Sequence, residues 1–266
     1  MSARSTGRTP RRVKVSTAAA RPAARRSAKA LRVLGIDIGG SHLKAAVLDA
    51  HGRMLTEKLK VKTRDPCPPM VMVRALVQLV KPLPPYNHIA IGFPGVVRDG
   101  RVVTAPHWGT KAWANFALAR ILSRRLGDAP ARLINDAEMQ GLAVLRGEGL
   151  ELLLTLGTGA GAALFRDGEI RPHLELAHHA IHKGSSYNEY IGDAALKKIG
   201  KKQWSKRVVR TIDILHSLLD YDHLFIGGGN ASKITIRLPA NATVVSNDAG
   251  IEGGAALWRA GLPAPL

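Results

Sequence analysis

The chain has 266 residues, of which 45% are apolar and only 5% aromatic, a composition that suits one large or two small α/β cores. Its only cysteine, Cys67, excludes an intramolecular disulfide, and no run approaches the roughly 20 apolar residues of a membrane span, so we expect a cytoplasmic protein without membrane contact. The formal net charge is +19, and residues 1–32 carry ten basic residues and no acidic one.

The N-terminal segment, residues 1–30, is the first feature along the chain. It is rich in Ala, Arg, Ser, Thr and Pro and shows no apolar periodicity. Such a segment cannot bury enough surface to offset the entropy cost of ordering it, so we interpret it as a disordered basic tail. A solvated extension, an arm that binds polyanions such as nucleic acid without specificity, and an organellar transit peptide all stay open as its role.

The segment from residue 31 to 145 alternates between strands and helices. LRVLGIDIGGSHLKAAVLD reads as strand, glycine turn and strand, and RMLTEKLKVK as an antiparallel neighbour. A helix over residues 70–81, the strand HIAIG, a loop over residues 93–112 and a helix ending at Gly127 follow. The strand ARLIN then leads into a helix over residues 137–145.

The second half repeats the opening pattern, because ELLLTL, a glycine-rich turn and GAALF again read as strand, turn and strand. Two equivalent hairpins suggest two related lobes. The strand HLFI follows a long helix whose apolar face contains Val208, Ile212, Leu215 and Leu219. Residues 227–229 are predicted to open a further helix, and a last helix to run from about residue 249 to 260. The helices exclude a purely β architecture and predict an α/β fold.

Three glycine-rich turns each follow an apolar strand, at Gly39–Gly40, residues 157–161 and residues 227–229. Backbone amides in such turns can approach phosphate oxygens, and Ser41 and Thr158 add hydroxyl groups. A single turn is compatible with a plain structural role, but three at strand exits favour a phosphate site between the lobes. None has the Walker lysine pattern or GxGxxG, which argues against P-loop enzymes and nicotinamide oxidoreductases.

Two aspartates stand at strand exits. Asp37 lies at the tip of the first hairpin, where a carboxylate can orient waters around phosphate-bound Mg²⁺, although an aspartate there can also simply form the turn. Asp136 follows the strand ARLIN, and a positioned carboxylate can accept the proton of an alcohol during phosphoryl transfer. A helix-cap or turn role for Asn135 and Asp136 stays open.

The segment HLELAHH and the following YNEYIG carry groups suited to several hydroxyls, namely Glu175, His178 and Glu189. A hydrogen-bonded structural role for His178 stays open. Metal ligation by a group of four histidines is a third alternative, and its members would be His173, His178, His179 and His182.

A basic segment without any acidic residue follows on predicted helices; it comprises Lys197, Lys198, Lys201, Lys202, Lys206, Arg207 and Arg210. The potential at its surface must be strongly positive. A solvated helix face, a track for extended polyphosphate and a nucleic-acid contact all stay open.

Together these motifs resemble the ROK family of sugar kinases and regulators, most closely its polyphosphate glucokinase branch, from about residue 31 to 258. DIGGSHLKAAVLD and LTLGTGAGAALFRDG resemble the two phosphate motifs, and LINDAEMQGLA the catalytic Asn-Asp stretch. IGFPG and the loop to Trp113 resemble the sugar-side segment, LELAHH the sugar motif, and IGGGN with AGIEGGAALW the C-terminal nucleotide-side elements.

The resemblance implies a two-lobed, actin-like (ribonuclease H-like) α/β fold with mixed sheets, flanking helices and a cleft. The N-terminal lobe would span residues 31–135 and the C-terminal lobe residues 136–266, with the last helix as a candidate to pack on the first lobe. Dimers are usual in the family, so a homodimer is expected.

The resemblance also implies roles for single residues. Asp136 would be the general base for the 6-hydroxyl of glucose, and the other hydroxyls would be held by Asn135, Glu175, His178 and Glu189. Phosphates and Mg²⁺ would be bound by Asp37, Gly39, Gly40, Ser41, Lys44, Thr158 and Gly159, and the far end of the donor by Gly228 and Gly229. Polyphosphate is the expected donor, with ATP as the alternative.

The chain also departs from the family pattern. Many members have a cysteine-rich zinc loop after the sugar motif, which a chain with Cys67 alone cannot form, so no structural zinc is expected. Ala177 replaces the usual glycine of the sugar motif. The N-terminal tail lacks the pattern of a helix-turn-helix, which weakens a repressor function. The alternatives are an ATP-dependent kinase of glucose, mannose or fructose, and a non-catalytic protein that senses sugar or binds nucleic acid.

Overall fold

The computed structural model describes residues 30–259. The prediction that residues 1–30 form a disordered tail therefore lies, but for its last residue, outside the described residues. Among those that are described, no helix is both long and apolar enough to cross a bilayer.

The first half of the chain forms a mixed sheet of five strands. This half of the chain has seven strands in all: β1 (Val33–Ile38), β2 (His42–Leu48), β3 (Leu59–Lys62), β4 (His88–Phe93), β5 (Val97–Arg98), β6 (Arg101–Val102) and β7 (Ala131–Asn135). The sheet order is β3-β2-β1-β4-β7, and β5 pairs with β6 in a separate hairpin. β1 runs antiparallel to β2 and parallel to β4, so the ends of β1, β4 and β7 meet at one edge.

The predicted third strand is shorter than RMLTEKLKVK suggested. Only Leu59–Lys62 pairs continuously with β2. Before it, the Thr56 hydroxyl oxygen accepts a hydrogen bond from the backbone N–H of Val47 at 3.1 Å, in the position that a strand carbonyl would otherwise take. A side-chain oxygen thus replaces the backbone pairing there.

This half also contains three helices, two of which the sequence predicted. They are α1 (Pro69–Val80), α2 (Thr110–Trp113) and α3 (Leu118–Arg125). α1 begins with Pro69, a residue type that is favoured at the first position of a helix. It buries Met72, Val73, Leu76 and Val80 on one face. The expected loop over residues 93–112 contains the β5–β6 hairpin and the start of α2. The predicted helix boundaries at both α1 and α3 are confirmed to within about one or two residues.

The second half builds a second sheet on the same plan. Its strands are β8 (Leu150–Leu156), β9 (Ala160–Arg166), β10 (Glu169–Ile170), β11 (Ala180–His182), β12 (Ser185–Ser186), β13 (His223–Gly227) and β14 (Ala242–Val244). The sheet order is β10-β9-β8-β13-β14, with β11 and β12 paired separately. β8 is antiparallel to β9 and parallel to β13, as β1 is to β2 and β4. The predicted pair of equivalent hairpins is confirmed.

Helices of the second half fill the space around these sheets. They are α4 (Asp136–Val144), α5 (Tyr187–Ile191), α6 (Asp193–Leu219) and α7 (Ala249–Glu252). α6 is interrupted at Gly200, whose φ of 75° lies in the left-handed region. Met139 and Leu142 of α4 belong to a buried core that also contains residues of both sheets, for example Ala90 and Phe165. α4 therefore contributes its side chains to the core between the sheets.

Two predicted helices are wrong in detail. Glycines 227–229 do not open an α-helix, and only a 3₁₀ turn, Ala231–Lys233, follows, because the next residues include the β-branched Ile234, Thr235 and Ile236. The last helix is α7 followed by a 3₁₀ segment, Gly253–Trp258. This C-terminal segment packs against β1 and β4 of the first sheet. The division into lobes at residue 135 stays a prediction.

Candidate active site

A cleft with a volume of about 460 Å³ opens where the strand ends of both sheets meet. All but one of the predicted sugar-, phosphate- and base-type residues line it. They are Asp37, Gly39, Gly40, Ser41, Lys44, Asn135, Asp136, Thr158, Gly159, Glu175, His178, Gly228 and Gly229. Motifs spread over nearly 200 residues thus converge on one cavity, as expected where the carboxyl ends of strands from an open α/β sheet meet.

Glu189 is the predicted sugar-binding residue that does not line the cleft. It is exposed, and its carboxylate accepts hydrogen bonds from the backbone N–H of Ser186 at 2.8 Å and from the Ser186 hydroxyl at 3.1 Å. Ser186 in turn caps α5, so the two residues form a capping box. The carboxylate of Glu189 is thereby used in the helix start and not in the cleft.

Asp136 is the first residue of α4, and its side chain reaches the cleft. Burial raises the pKa of its carboxyl group to about 7, and the nearby carboxylate of Asp37 adds to the rise. The backbone N–H of Ala137, which donates to Asp136 Oδ1 at 2.9 Å, opposes this only in part. A carboxyl group with a pKa near 7 is suited to accept a proton at neutral pH.

Asn135 holds the turn that presents Asp136. Its side-chain oxygen accepts from the backbone N–H groups of Ala137 at 2.8 Å and Glu138 at 3.3 Å, which makes it the N-cap of α4. Its amide nitrogen donates to the carbonyl oxygens of Gly95 at 3.2 Å and Phe93 at 3.4 Å. With both ends of the amide engaged, Asn135 has the cap role that had stayed open rather than free capacity for a sugar hydroxyl.

Asp37 and Lys44 form an ion pair beside the first glycine turn. They are cross-strand partners in β1 and β2, and Lys44 Nζ lies 2.7 Å from Asp37 Oδ2. Both side chains are mostly buried, at 13% and 16% exposure. The pair places one carboxylate and one ammonium group beside the glycine turn, next to Asp136.

The three glycine turns also line the cleft. Space opens next to Gly157 and Gly229, because a methyl group at either position would meet no other atom within 4 Å. Gly228 has a φ of 84°, and a side chain there would collide with the backbone of Leu156. The turns at Gly157 and Gly229 therefore border open volume, as a phosphate site needs.

The sugar-motif side of the cleft contains a chain of ionisable groups. His173 Nδ1 lies 2.9 Å from Glu138 Oε1, and His173 Nε2 lies 3.5 Å from Glu175 Oε2. The two carboxylates raise the pKa of His173 to about 9, so its imidazole is a cation at neutral pH. His173 in return lowers the pKa of Glu175, which keeps that carboxylate ionised.

The proposed metal site of four histidines is not formed. His173 is bound to carboxylates, while the rings of His179 and His182 lie against Tyr187 and Tyr190. Within residues 30–259, no group of three or more His, Cys, Asp or Glu side chains is placed to hold a metal ion.

Several cleft residues were missed by the sequence analysis. His107 lines the cleft from the loop after β6, and burial together with the nearby His178 lowers its pKa. Asn188 accepts a hydrogen bond from the backbone N–H of Ala160 at 2.7 Å, and Asn230 donates to the carbonyl oxygen of Gly157 at 3.2 Å. Asn230 follows the glycines of IGGGN, but His107 and Asn188 carry no local pattern that would have identified them.

The basic segment lies outside the lining of the cleft. Lys197 Nζ pairs with Asp193 Oδ2 at 2.6 Å, and Asp193 does line the cleft. Farther along α6, the guanidinium group of Arg207 lies 4.8 Å from the centre of the Tyr190 ring. Lys206, Arg207 and Arg210 are among the residues that line a second depression, together with Tyr190.

Comparison of the sequence with known proteins identifies a matching family and a relative. The model of the ROK family matches residues 33–178. A polyphosphate glucokinase of Mycobacterium leprae is 30% identical over 240 residues, which cover 84% of this chain and 74% of that protein.

Solved structures give the same result. An inorganic polyphosphate/ATP-glucomannokinase from Arthrobacter sp. strain KM superposes with a TM-score of 0.76 at 28% identity and covers 85% of this chain and 97% of its own. A ROK family glucokinase from Streptomyces griseus, in complex with glucose and AMPPNP, has a TM-score of 0.69 at 21% identity and covers 85% of this chain and 98% of its own. These likenesses confirm the predicted actin-like α/β fold.

Proposed function

Since the chain belongs to the ROK family, we propose that it is a glucokinase that transfers a terminal phosphoryl group, preferably from polyphosphate, to the 6-hydroxyl of glucose. At the coarser level it is a phosphotransferase whose acceptor is a hydroxyl group of a sugar, as in the kinases among its relatives. The observation that carries the proposal is the position of Asp136. Its carboxyl group, with a pKa raised to about 7, lies in one cleft with the glycine turns and the sugar motif.

Asp136 would act as the general base. As the sugar oxygen attacks the terminal phosphorus atom, the hydroxyl proton passes to the carboxylate, and the bond between that phosphorus and the leaving oxygen breaks. Asn135 supports this role indirectly, because its four hydrogen bonds fix the turn on which Asp136 stands. The acid thus produced is neutral, which a partly buried site favours.

Glu175 and His178 would bind sugar hydroxyls. Both line the cleft on the side of the segment that precedes β11, and the ionised Glu175 can accept from two hydroxyl groups. His107 lies near both of them, since their charges affect its pKa. We add His107 to the proposed sugar site and omit Glu189, whose carboxylate caps α5.

The donor phosphates would lie against the glycine turns. Gly157 and Gly229 leave open volume, and the hydroxyls of Ser41 and Thr158 face the same region. Phosphate oxygens would take hydrogen bonds from these hydroxyls and from turn amides, with Lys44 adding positive charge.

The protein groups beside the first glycine turn fit a Mg²⁺ ion that is held mainly by phosphate oxygens and water. Asp37 supplies one carboxylate beside the first turn, and one of its oxygens is not engaged by Lys44. A cation that keeps several waters needs few protein ligands, so a single carboxylate is compatible with it. When bound, Mg²⁺ would neutralise charge on the transferred phosphoryl group.

Polyphosphate is favoured over ATP as donor by two observations. The Mycobacterium leprae relative is named for polyphosphate alone, while the 28%-identical solved structure is named for both polyphosphate and ATP. The basic segment of α6 starts near Asp193, which lines the cleft, and could extend the binding of a long polyanion. ATP stays the alternative donor, and the homodimer and the cytoplasmic location stay predictions.

A direct assay tests this function. Purified protein with Mg²⁺ is supplied with long-chain polyphosphate, ATP or no donor, and glucose 6-phosphate formation is measured at low and moderate salt, with mannose and fructose as alternative acceptors. Turnover with polyphosphate that weakens with salt supports the proposal. Turnover with ATP alone removes the polyphosphate preference, and absence of turnover with every donor and hexose would leave a sugar-sensing or binding protein.

A further inference from the structure

His173 connects two parts of the cleft that have separate roles in the proposed reaction. Glu138 stands in the first turn of α4, where its Oε2 atom accepts from the backbone N–H of Asn135 at 3.2 Å. Its other oxygen lies 2.9 Å from His173 Nδ1. On the opposite side of the ring, Nε2 faces Glu175 at 3.5 Å. One imidazole thus spans from the turn that carries Asp136 to the carboxylate of the sugar motif.

The burial of this ring argues that the bridge matters. The His173 side chain is 21% exposed and that of Glu138 13% exposed. Nε2 itself is buried and has no hydrogen-bond partner of normal length, so its attraction to Glu175 is the interaction available to it. A buried donor without a partner is costly, which favours keeping the carboxylate of Glu175 close to the ring.

We propose that His173 is a positioning residue, which holds the sugar-binding carboxylate of Glu175 at a fixed place relative to Asp136 by bridging Glu175 to Glu138. The inference rests on the proposed function, because it assigns Glu175 to the sugar and Asp136 to the proton. His173 itself touches neither reacting atom in this account. It acts through the two carboxylates that it separates.

The charged groups around the bridge are consistent with this role. Glu138 from α4 and Glu175 from the same loop face His173 directly, and His178 and His107 lie near Glu175. Without the imidazolium, Glu138 and Glu175 would be two carboxylates facing each other across a partly buried gap. They would repel each other, and Glu175 would move away from its sugar-binding position.

The first test is the kinetics of His173→Gln, which keeps hydrogen-bonding capacity and removes the charge. Because misplacement of a binding group affects both orientation and affinity, we expect kcat to fall and KM for glucose to rise by about tenfold each. KM for the phosphoryl donor should stay within about twofold, because the bridge does not reach the glycine turns. His216→Gln, an exposed histidine on α6, is the matched control and should leave all three constants unchanged.

The second test is independent of turnover. The imidazole of His173 is titrated by NMR in the wild-type protein and in Glu138→Gln, which breaks the same bridge from the other side and also serves if His173→Gln does not fold. We expect the pKa of His173 to fall towards its ordinary value in Glu138→Gln. In the double variant, the loss of kcat should be no greater than that of the more impaired single variant, since both changes break one interaction.

The outcomes distinguish a failure of the proposed function from a failure of the positioning role. A wild-type protein without sugar kinase turnover would overturn the proposed function. An active wild type whose His173→Gln variant keeps kcat and glucose KM within twofold would overturn the positioning role alone. An unchanged His173 titration in Glu138→Gln would also overturn it, because the bridge would then carry no charge interaction.

Discussion

The hydroxyl oxygens of Ser41 and Thr158 lie 3.2 Å apart, although 117 positions separate the two residues in the chain. Ser41 follows the first glycine turn and Thr158 stands in the second, so this contact joins the equivalent hairpins of the two sheets at one point. One of these hydroxyls donates its only proton to the other, and each can rotate to donate that proton to a phosphate oxygen instead. The contact therefore marks where the donor is expected to bind.

Thr158→Val tests that position, because it removes the hydroxyl and keeps the shape of the side chain. We expect KM for the phosphoryl donor to rise by about tenfold, because roughly one charge-assisted hydrogen bond to phosphate is lost. KM for glucose should stay unchanged. Steady-state kinetics with each substrate varied in turn measures both constants. Thr243→Val, an exposed threonine on β14, is the matched control. A rise in glucose KM alone would place Thr158 on the sugar side instead.

The pKa of about 7 for Asp136 predicts the pH dependence of the reaction. A general base must be deprotonated, so kcat/KM for glucose should be low below pH 6, rise with a midpoint near 7 and level off above 8. The profile is measured at constant ionic strength with saturating donor. A rate that is flat between pH 5.5 and 8 would show that no group with this pKa takes the proton.

The raised pKa of His173 predicts a pH dependence of stability. Its folded value of about 9 exceeds the ordinary value of 6.5, so the stabilisation is complete below about pH 6.5 and is lost as the pH rises towards and through 9. The shift corresponds to roughly 3 kcal/mol at most. Urea unfolding at pH 6 and pH 9.5 should show a larger decrease for wild type than for His173→Gln. Equal decreases in the two proteins would contradict the charged state of the ring.

The basic segment predicts a difference between donors. Replacing Lys201, Lys202 and Lys206 with glutamine should raise KM for long-chain polyphosphate and reduce its salt dependence, while KM for ATP stays unchanged. The control replaces three exposed arginines of α3 with glutamine: Arg120, Arg124 and Arg125. If both triple variants raise KM for polyphosphate equally, the effect comes from the net charge of the protein, and the basic segment has no specific role.

Much of the fold and most of the cleft could be predicted because their signals are local. Apolar strands that end in glycine turns at Gly39, Gly157 and Gly228 can be read from the sequence, and each contributes to the cleft. Glu189 is predicted to bind sugar but caps α5 in the structure, and a local pattern indicates the cap, since Ser186 three residues before it makes the capping-box spacing. The helix predicted after residue 229 was wrong because β-branched residues follow at once.

The rest depends on contacts between distant segments. His173 and Glu138 are 35 positions apart, and nothing near either residue indicates that they meet. The same holds for His107, which reaches the cleft from a loop without a motif. Such residues become visible only when the elements that carry them are packed together.

The most direct test of the account is Asp136→Asn, which keeps the size of the side chain and removes its ability to take a proton. Glucose 6-phosphate formation and glucose binding by calorimetry are measured on the same preparations of wild type and variant. We expect kcat to fall by at least about 100-fold while glucose affinity is retained. A variant that keeps wild-type turnover would contradict the assignment of Asp136 as general base, and with it the mechanism proposed for this cleft.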